Sequence, residues 1–292
     1  MEYQVLSPQN ITELCKTVKA NLKKSFRYGA GYTDLLMELK KSDPNNLTII
    51  NLAQINDDSF LGIKVTAKEI QIGAMVTASK LVSDLEIGKQ FPVLQQAAIN
   101  LASTQIRNVA TIGGNMCTAS PSGDLICAII ALNATCEIMD ENKKIRSISV
   151  HDFFMGVRKT TLKKNEFLYR INIPKNKKAA FKIHSGFIKI GTRKAMECSV
   201  VSLAYHLQID KTNKIIAAGI AIGASAPTVK LTNSACQFLI GKKLNAITQI
   251  EKEEFAKKVL SYASPITDVR ATAWYRKEVL FNISKSILEN EN

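Results

Sequence analysis

Apolar residues at Ile11, Leu14, Val18 and Leu22 recur every three to four positions, which predicts an amphipathic helix capped by Ser7 or Asn10. Phe26-Arg27-Tyr28 predicts a short strand. It runs into Gly29-Ala30-Gly31-Tyr32-Thr33-Asp34, and Leu35 to Lys40 then reads as helix. Leu47 to Leu52 is the next strand. Ile63–Val65 and Glu69–Ala74 alternate as a strand pair. A helix begins at Thr77, and another at Phe91 with Pro92 in its first turn and Leu94, Ala97, Ala98 and Leu101 on its apolar face. A short helical run and turn over 103–110 leads to Thr111-Ile112-Gly113-Gly114-Asn115, read as a glycine turn. Asp124 precedes a wholly apolar helix, Leu125 to Leu132. Thr135–Met139 and Lys144–Val150 form a hairpin across Asp140-Glu141-Asn142, and the strand Glu166–Ile173 stops at Pro174.

After Pro174 the pattern changes. Lys175-Asn176-Lys177-Lys178 reads as a linker. Long strand-like runs follow at Phe181–Ile190, Cys198–Ile209 and Lys214–Ala224, with a turn at Lys211-Thr212-Asn213. Helices are predicted at Asn233–Ile240, Ile250–Ala263 and Ala271–Leu288. Strands followed by helices point to an α+β architecture, divided into residues 1–175 and 176–292. No internal repeat or low-complexity tail is present.

The chain has 292 residues and is 46% hydrophobic, a globular composition with room for a large core. No basic, then apolar leader opens it, and the run Leu125–Leu132 is too short to cross a bilayer, so a cytoplasmic protein is expected. The formal charge of +14 is spread over scattered lysines without a nucleic-acid motif. A solvated lysine-rich surface is the simpler reading, with an acidic partner subunit as the alternative. Six cysteines at 15, 117, 127, 136, 198 and 236 form no C-x-x-C, and His151, His184 and His206 stand apart from them. Reduced, mostly buried thiols are expected, with no metal or iron–sulfur site on this chain.

Common catalytic signatures are missing: no G-x-S-x-G, no H-E-x-x-H and no P-loop. Two glycine turns remain, 29–34 and 111–115. Paired glycines admit close backbone approach, and successive N–H groups can cradle phosphate oxygens; the second pentapeptide alone reads equally as an ordinary turn. The first turn lies in a strand–turn–helix, but Asp34 stands where a Rossmann fingerprint needs its third glycine, and Leu47–Leu52 lacks the ribose-binding acid. Asp124 alone reads as the N-cap or first-turn acid of its helix. These features suit a dinucleotide-like cofactor held without Rossmann geometry.

Together the motifs resemble the FAD-binding subunit of the molybdenum hydroxylases, the xanthine, carbon monoxide and nicotinate dehydrogenase group. Ala30-Gly31-Tyr32-Thr33-Asp34 resembles its A-G-G-T-D turn, and Gln105 to Asn115 its second signature. Ala119-Ser120-Pro121-Ser122-Gly123-Asp124 follows. Phe187 to Arg193, then Ala195-Met196-Glu197-Cys198-Ser199, resemble a third segment; Pro265, Asp268, Arg270, Tyr275 and Arg276 echo a C-terminal one.

The resemblance implies a vanillyl-alcohol oxidase/MurB-like FAD domain, then a small antiparallel sheet with a helical bundle. It implies that Tyr28, Gly29, Ala30, Gly31, Tyr32, Thr33, Asp34 and Leu35, with Thr111, Ile112, Gly113, Gly114 and Asn115, wrap the FAD pyrophosphate with backbone N–H groups, aided by the Thr33 and Thr111 hydroxyls. Thr118 and Asp124 would contact the polyol, Leu101 and Leu168 would pack on the flavin, and Lys189 would stand near it. Partners would be a molybdenum-cofactor large subunit and a small subunit with 2Fe–2S clusters, with NAD as electron acceptor and neither nucleic acid nor membrane. No four-iron insertion is present, and Arg193–Ser199 leans toward the xanthine dehydrogenase branch. Two departures stand out: Tyr32 replaces a glycine, and Glu197 stands where Asp is expected. Tyr32 favours an alternative, a flavin-free scaffold or maturation subunit; a self-contained FAD oxidoreductase would need an acid–base constellation that the sequence lacks.

Overall fold

A computed structural model describes residues 3–42, 46–175, 182–193 and 196–289. Strands β1 (Gln4–Leu6), β2 (Phe26–Gly29) and β3 (Thr48–Asn51) form a small parallel sheet in the order β1-β3-β2. Helices α1 (Ile11–Asn21) and α2 (Leu35–Ser42) connect them. Asn10 is the α1 cap, its side chain accepting the Glu13 N–H at 2.9 Å. The unit β2-α2-β3 is therefore a true parallel crossover, although its turn is not a Rossmann turn.

A second sheet is antiparallel, in the order β4 (Ile63–Val65), β5 (Glu69–Gly73), β10 (Glu166–Pro174), β6 (Thr135–Asp140), β7 (Ile145–Ser149). The short pair β8 (Phe154–Gly156) and β9 (Lys159–Thr160) lies between β7 and β10 in the chain. Seven helices belong to this part: α3 (Asp58–Leu61), α4 (Ala78–Ser83), α5 (Leu85–Gln90), α6 (Pro92–Ile99), α7 (Thr104–Val109), α8 (Ile112–Thr118) and α9 (Asp124–Ala131). The third sheet, β11 (Lys182–Ile190), β12 (Val201–Ile209), β13 (Ile215–Gly223) and β14 (Lys230–Leu231), is an antiparallel meander. Helices α10 (Asn233–Leu239), α11 (Gln249–Leu260) and α12 (Ala273–Ser286) cover it. Thr248 and Glu251 close α11 with a capping box.

The α+β reading, its strands and the three C-terminal helices match within a few residues. Elements of two to four residues, β1, α3, β8, β9 and β14, went unseen, as did the six-residue α5, because so short a run carries no clear period. Of the expected linker only Lys175 is described: its N–H meets the Lys68 carbonyl at 2.8 Å. Asn176 to Lys178, Phe181 and Ala195 lie outside the described residues.

Helix α9 organises the centre. It is apolar all round and buried all round, each Leu or Ile worth roughly 1.5–3 kcal/mol of burial. Its Cys127 thiol reaches the Ala221 carbonyl of β13 at 3.4 Å. A Cβ on Gly219 would stand 1.8 Å from the Ala131 carbonyl oxygen, so helix and sheet meet backbone to backbone there. One hydrophobic cluster spans the first two sheets and reaches Phe187, Ala204 and Ala221; a second fills the space between the third sheet and its helices.

Candidate FAD site

The loop after β2 offers donors without acceptors. Among the described residues, none of the five successive N–H groups from Ala30 to Asp34 meets an acceptor. Gly31 is held against the other signature: a Cβ there would lie 1.9 Å from the Val109 carbonyl oxygen. Tyr32 takes φ 60°, the left-handed region that favours glycine. Its ring folds back over Gly29, where an added Cβ would meet ring atoms at 2.4–2.5 Å. The same ring packs against the cluster of Leu35, Leu39, Leu47 and Ile49. Tyr32 thus keeps the glycine-like backbone and turns its bulk into the apolar cluster beside the small parallel sheet, where Leu35 is also buried.

The second signature is built differently from the expected turn. Thr111 caps α8, its hydroxyl accepting the Gly114 N–H at 3.0 Å. The Ile112 N–H goes to Val76 O at 2.9 Å, Gly113 to Ala74 O at 2.8 Å, and Asn115 to Thr111 O at 3.0 Å. The expectation that Ile112, Gly113, Gly114 and Asn115 turn free N–H groups to a pyrophosphate is therefore corrected: α8 and the β5–α4 connection use all four. Gly113 is required by packing, since a Cβ would sit 2.5 Å from the Ala74 oxygen. A position built on Gly114 falls 4.0 Å from the Ala30 Cβ, so the two signatures adjoin. Thr118 joins them again, its hydroxyl donating to Asp34 Oδ2 at 3.3 Å.

Around this junction polar atoms lie buried and unmatched. Asn115 Oδ1 and the Tyr28 hydroxyl meet no partner, a costly state that a polar ligand would relieve. The Tyr28 ring packs edge-on to Phe26, centroids 5.5 Å apart. Cys117 is exposed, yet surrounding protein pushes its thiol up to about 12. So high a value makes it a poor nucleophile. Sequence reasoning missed Cys117, and nothing in the motif marks it.

Of its two expected roles in α9, Asp124 takes that of first-turn acid and not that of cap; Gly123 is the cap, without a side-chain bond. The Asp124 carboxylate instead meets Lys189 Nζ at 2.7 Å and the Ser199 hydroxyl at 2.8 Å, and Lys189 also reaches Asn100 O at 3.0 Å. Burial raises the Asp124 carboxyl above its ordinary value, while Lys189 and Ser199 pull it back. Two residues read as separate cofactor contacts thus form one buried pair joining α9 to β11, and both carboxylate oxygens are engaged. Leu101 and Leu168, expected against the flavin, are core residues at 8% and 4% exposure.

Glu197 accepts from the Thr192 N–H and hydroxyl and from the Arg193 N–H, so it braces its own loop. The histidines are structural: His151 pairs with Asn133, His184 with the Ile287 carbonyl, His206 with Ser185. Among the described residues no three His, Cys, Asp or Glu side chains gather to hold a metal, and no helix is long and apolar enough to cross a membrane. A mixed-charge cavity of about 480 Å³, lined by Lys64, Lys80, Asp84 and Arg170 among others, includes none of the signature residues.

Residues 1–176 match the family described as the FAD binding domain in molybdopterin dehydrogenase, and residues 187–290 the CO dehydrogenase flavoprotein C-terminal domain. The xanthine dehydrogenase FAD-binding subunit of Escherichia coli O157:H7 is 28% identical over 260 residues, covering 89% of this chain and 86% of that protein. The glyceraldehyde dehydrogenase medium chain of Sulfolobus acidocaldarius is 27% identical over 279 residues, 96% of this chain and 94% of that one. A solved chain of carbon monoxide dehydrogenase from Hydrogenophaga pseudoflava superposes with a TM-score of 0.88 at 24% identity, covering 98% of this chain and 96% of that chain. With the family model spanning the whole first part of the fold and a second model the rest, the chain belongs to the FAD-binding medium subunits of the molybdopterin dehydrogenases.

Proposed function

We propose that this chain is the flavin-carrying electron-transfer subunit of a molybdenum hydroxylase of the xanthine dehydrogenase kind. Its partners would be a large subunit with the molybdenum cofactor and a small subunit with 2Fe–2S clusters, and NAD its acceptor. Residues 1–175 would hold FAD and 176–292 would close over it. The observation that carries the reading is the row of unmatched N–H groups from Ala30 to Asp34, set beside Gly114 and Asn115. Such a row suits a diphosphate. Thr33 and Thr111 would add hydroxyls, Asn115 Oδ1 would accept from an O–H or N–H of the cofactor, and Thr118 would tie the two loops together. Bound there, FAD would supply two-electron redox chemistry, with its potential set by the protein around it. Asp124 and Lys189 would act one step removed, holding the two domains at a fixed separation.

The relatives argue that substrate choice lies elsewhere. Near-full-length matches include proteins named for xanthine, glyceraldehyde and carbon monoxide, whose substrates share little chemistry. A fold common to all three suits a shared electron outlet. The scaffold alternative rested on Tyr32; its ring packs against the small apolar cluster and over Gly29, and its backbone keeps the conformation a glycine would take, which supports a loop still shaped for the cofactor.

The test is flavin identity and stoichiometry. The purified chain is incubated with FAD, freed of excess ligand and denatured, and the released flavin is identified; about one FAD per chain is expected. Asn115→Leu should lower FAD affinity about tenfold, one hydrogen bond's worth, with no loss of fold stability because it removes an orphaned polar atom. No flavin on a folded chain would overturn the reading. NADH formation by the assembled complex tests the acceptor separately.

A further inference from the structure

The two halves of the candidate site belong to different sheets. The donor loop 30–34 is bound to α2, since the Tyr32 and Asp34 carbonyls accept the Leu36 and Glu38 N–H groups at 3.1 and 3.0 Å. Where α2 moves, the loop's unmatched N–H groups move with it. The other half is α8, which packs on β10 of the antiparallel sheet. Where the halves face each other, the Thr118 hydroxyl donates to Asp34 Oδ2 at 3.3 Å, long for such a bond. A shorter link lies one turn along α2. Glu38 Oε1 meets Arg158 Nη1 at 2.5 Å, and its Oε2 meets Arg27 Nη2 at 2.6 Å. Arg158 stands in the turn between β8 and β9 at φ 55°, and its N–H donates to the Ala119 carbonyl at 3.0 Å. Ala119 is the C-cap of α8. One connected path therefore runs from α8 through Ala119, Arg158 and Glu38 to α2 and the donor loop. The two arginines are equally exposed, at 54% and 53%, but they join different things. Arg27 ties α2 to its own neighbour β2; Arg158 ties α2 to a hairpin 120 residues further on.

We propose that Arg158 is a positioning residue for the cofactor: through Glu38 it holds the donor loop at a fixed separation from α8, and so slows the release of FAD. An ion pair this exposed contributes little to the stability of a fold. Fixing a loop before its ligand arrives is a different matter, because a donor row already in place loses less conformational freedom on binding. Arg158 lies outside both glycine signatures, Ala30–Asp34 and Gln105–Asn115, so no motif marks it. The proposal rests on the flavin-subunit reading of the site.

The full chain is loaded with FAD and passed through a desalting column at timed intervals, and the flavin retained is read from its absorbance. Arg158→Gln should release FAD about threefold faster than wild type, the scale of an exposed ion pair. Arg158→Lys, which keeps the charge, should restore slow release at least in part. Arg27→Gln removes the same charge from the same carboxylate without parting the two halves, and should release FAD at the wild-type rate. Raising KCl from about 0.05 to about 0.5 M should hasten release from wild type more than from Arg158→Gln, since screening weakens a pair that the variant has already lost. The urea midpoint of the cofactor-free chain, measured on each variant, should not move. Equal release from wild type and Arg158→Gln would overturn the proposal. So would equal effects of Arg27→Gln and Arg158→Gln, which would make overall charge the cause, and so would a lower urea midpoint for Arg158→Gln, which would make it a brace of the fold at large. A wild-type chain that retains no FAD would refute the flavin reading and the proposal with it; that case is told apart because wild type and variants then fail alike.

Discussion

Tyr32 shows how one residue can break a local rule and be held by its neighbours. Left-handed backbone costs a non-glycine residue roughly 1–2 kcal/mol, yet the ring is roofed onto Gly29 and packed on Leu35 and Leu39. Two substitutions separate the terms. Tyr32→Ala keeps the strain and loses the packing, and should lower stability by about 1–2 kcal/mol in urea melts. Tyr32→Gly relieves the strain while losing the same packing, and should stay within about 1 kcal/mol of wild type. Equal losses for both would mean that φ at this position carries no strain. At Gly113 no such separation is available: its Cβ would overlap Ala74, so a valine there perturbs the fold before any cofactor.

Between elements, the buried pair Asp124–Lys189 joins α9 of the first domain to β11 of the second, with side-chain exposures of 6% and 10%. Desolvation outweighs the attraction at Asp124, as its raised carboxyl shows, so the pair is a joint more than a source of stability. Removing one partner strands the other. Asp124→Asn alone should cost about 3 kcal/mol, while Asp124→Asn with Lys189→Met should recover much of that loss. Denaturant midpoints of the two variants decide it; a double variant no better than the single would refute the joint. Neighbouring contacts share the seam: the Phe187 N–H meets Gln96 Oε1 at 2.9 Å, and the Val93 N–H meets Ser185 Oγ at 3.2 Å.

For the whole molecule, His206 makes that seam sensitive to acid. Burial lowers it from 6.5 to about 4, and its ring lies against Phe91 while Nδ1 meets Ser185. Below pH 6.5 the unfolded chain gains a proton that the folded chain refuses until about pH 4. Stability is thus fully present above pH 6.5 and falls through that window, by up to about 1.4 kcal/mol per pH unit. Urea midpoints at several pH values, compared with His206→Gln, should show the wild type losing stability faster on acidification. Parallel curves would mean that the imidazole stays open to protonation in the fold.

Periodicity alone determined the α+β class, the helix α9 and the strand-then-helix second domain, because those runs are long and bury one face or all faces. Ordered motifs in Ala30–Asp34 and Gln105–Asn115 were enough to suggest FAD before any coordinates. The roles of individual residues were another matter. That Gly31 yields to Val109, that Ile112 to Asn115 spend their N–H groups on Val76, Ala74 and Thr111, and that Asp124 faces Lys189 all depend on segments distant in the chain. A glycine signals close approach without naming what approaches, and a carboxylate signals charge without naming its counter-ion. Only tertiary packing chooses between ligand and neighbour, because either satisfies the same local chemistry.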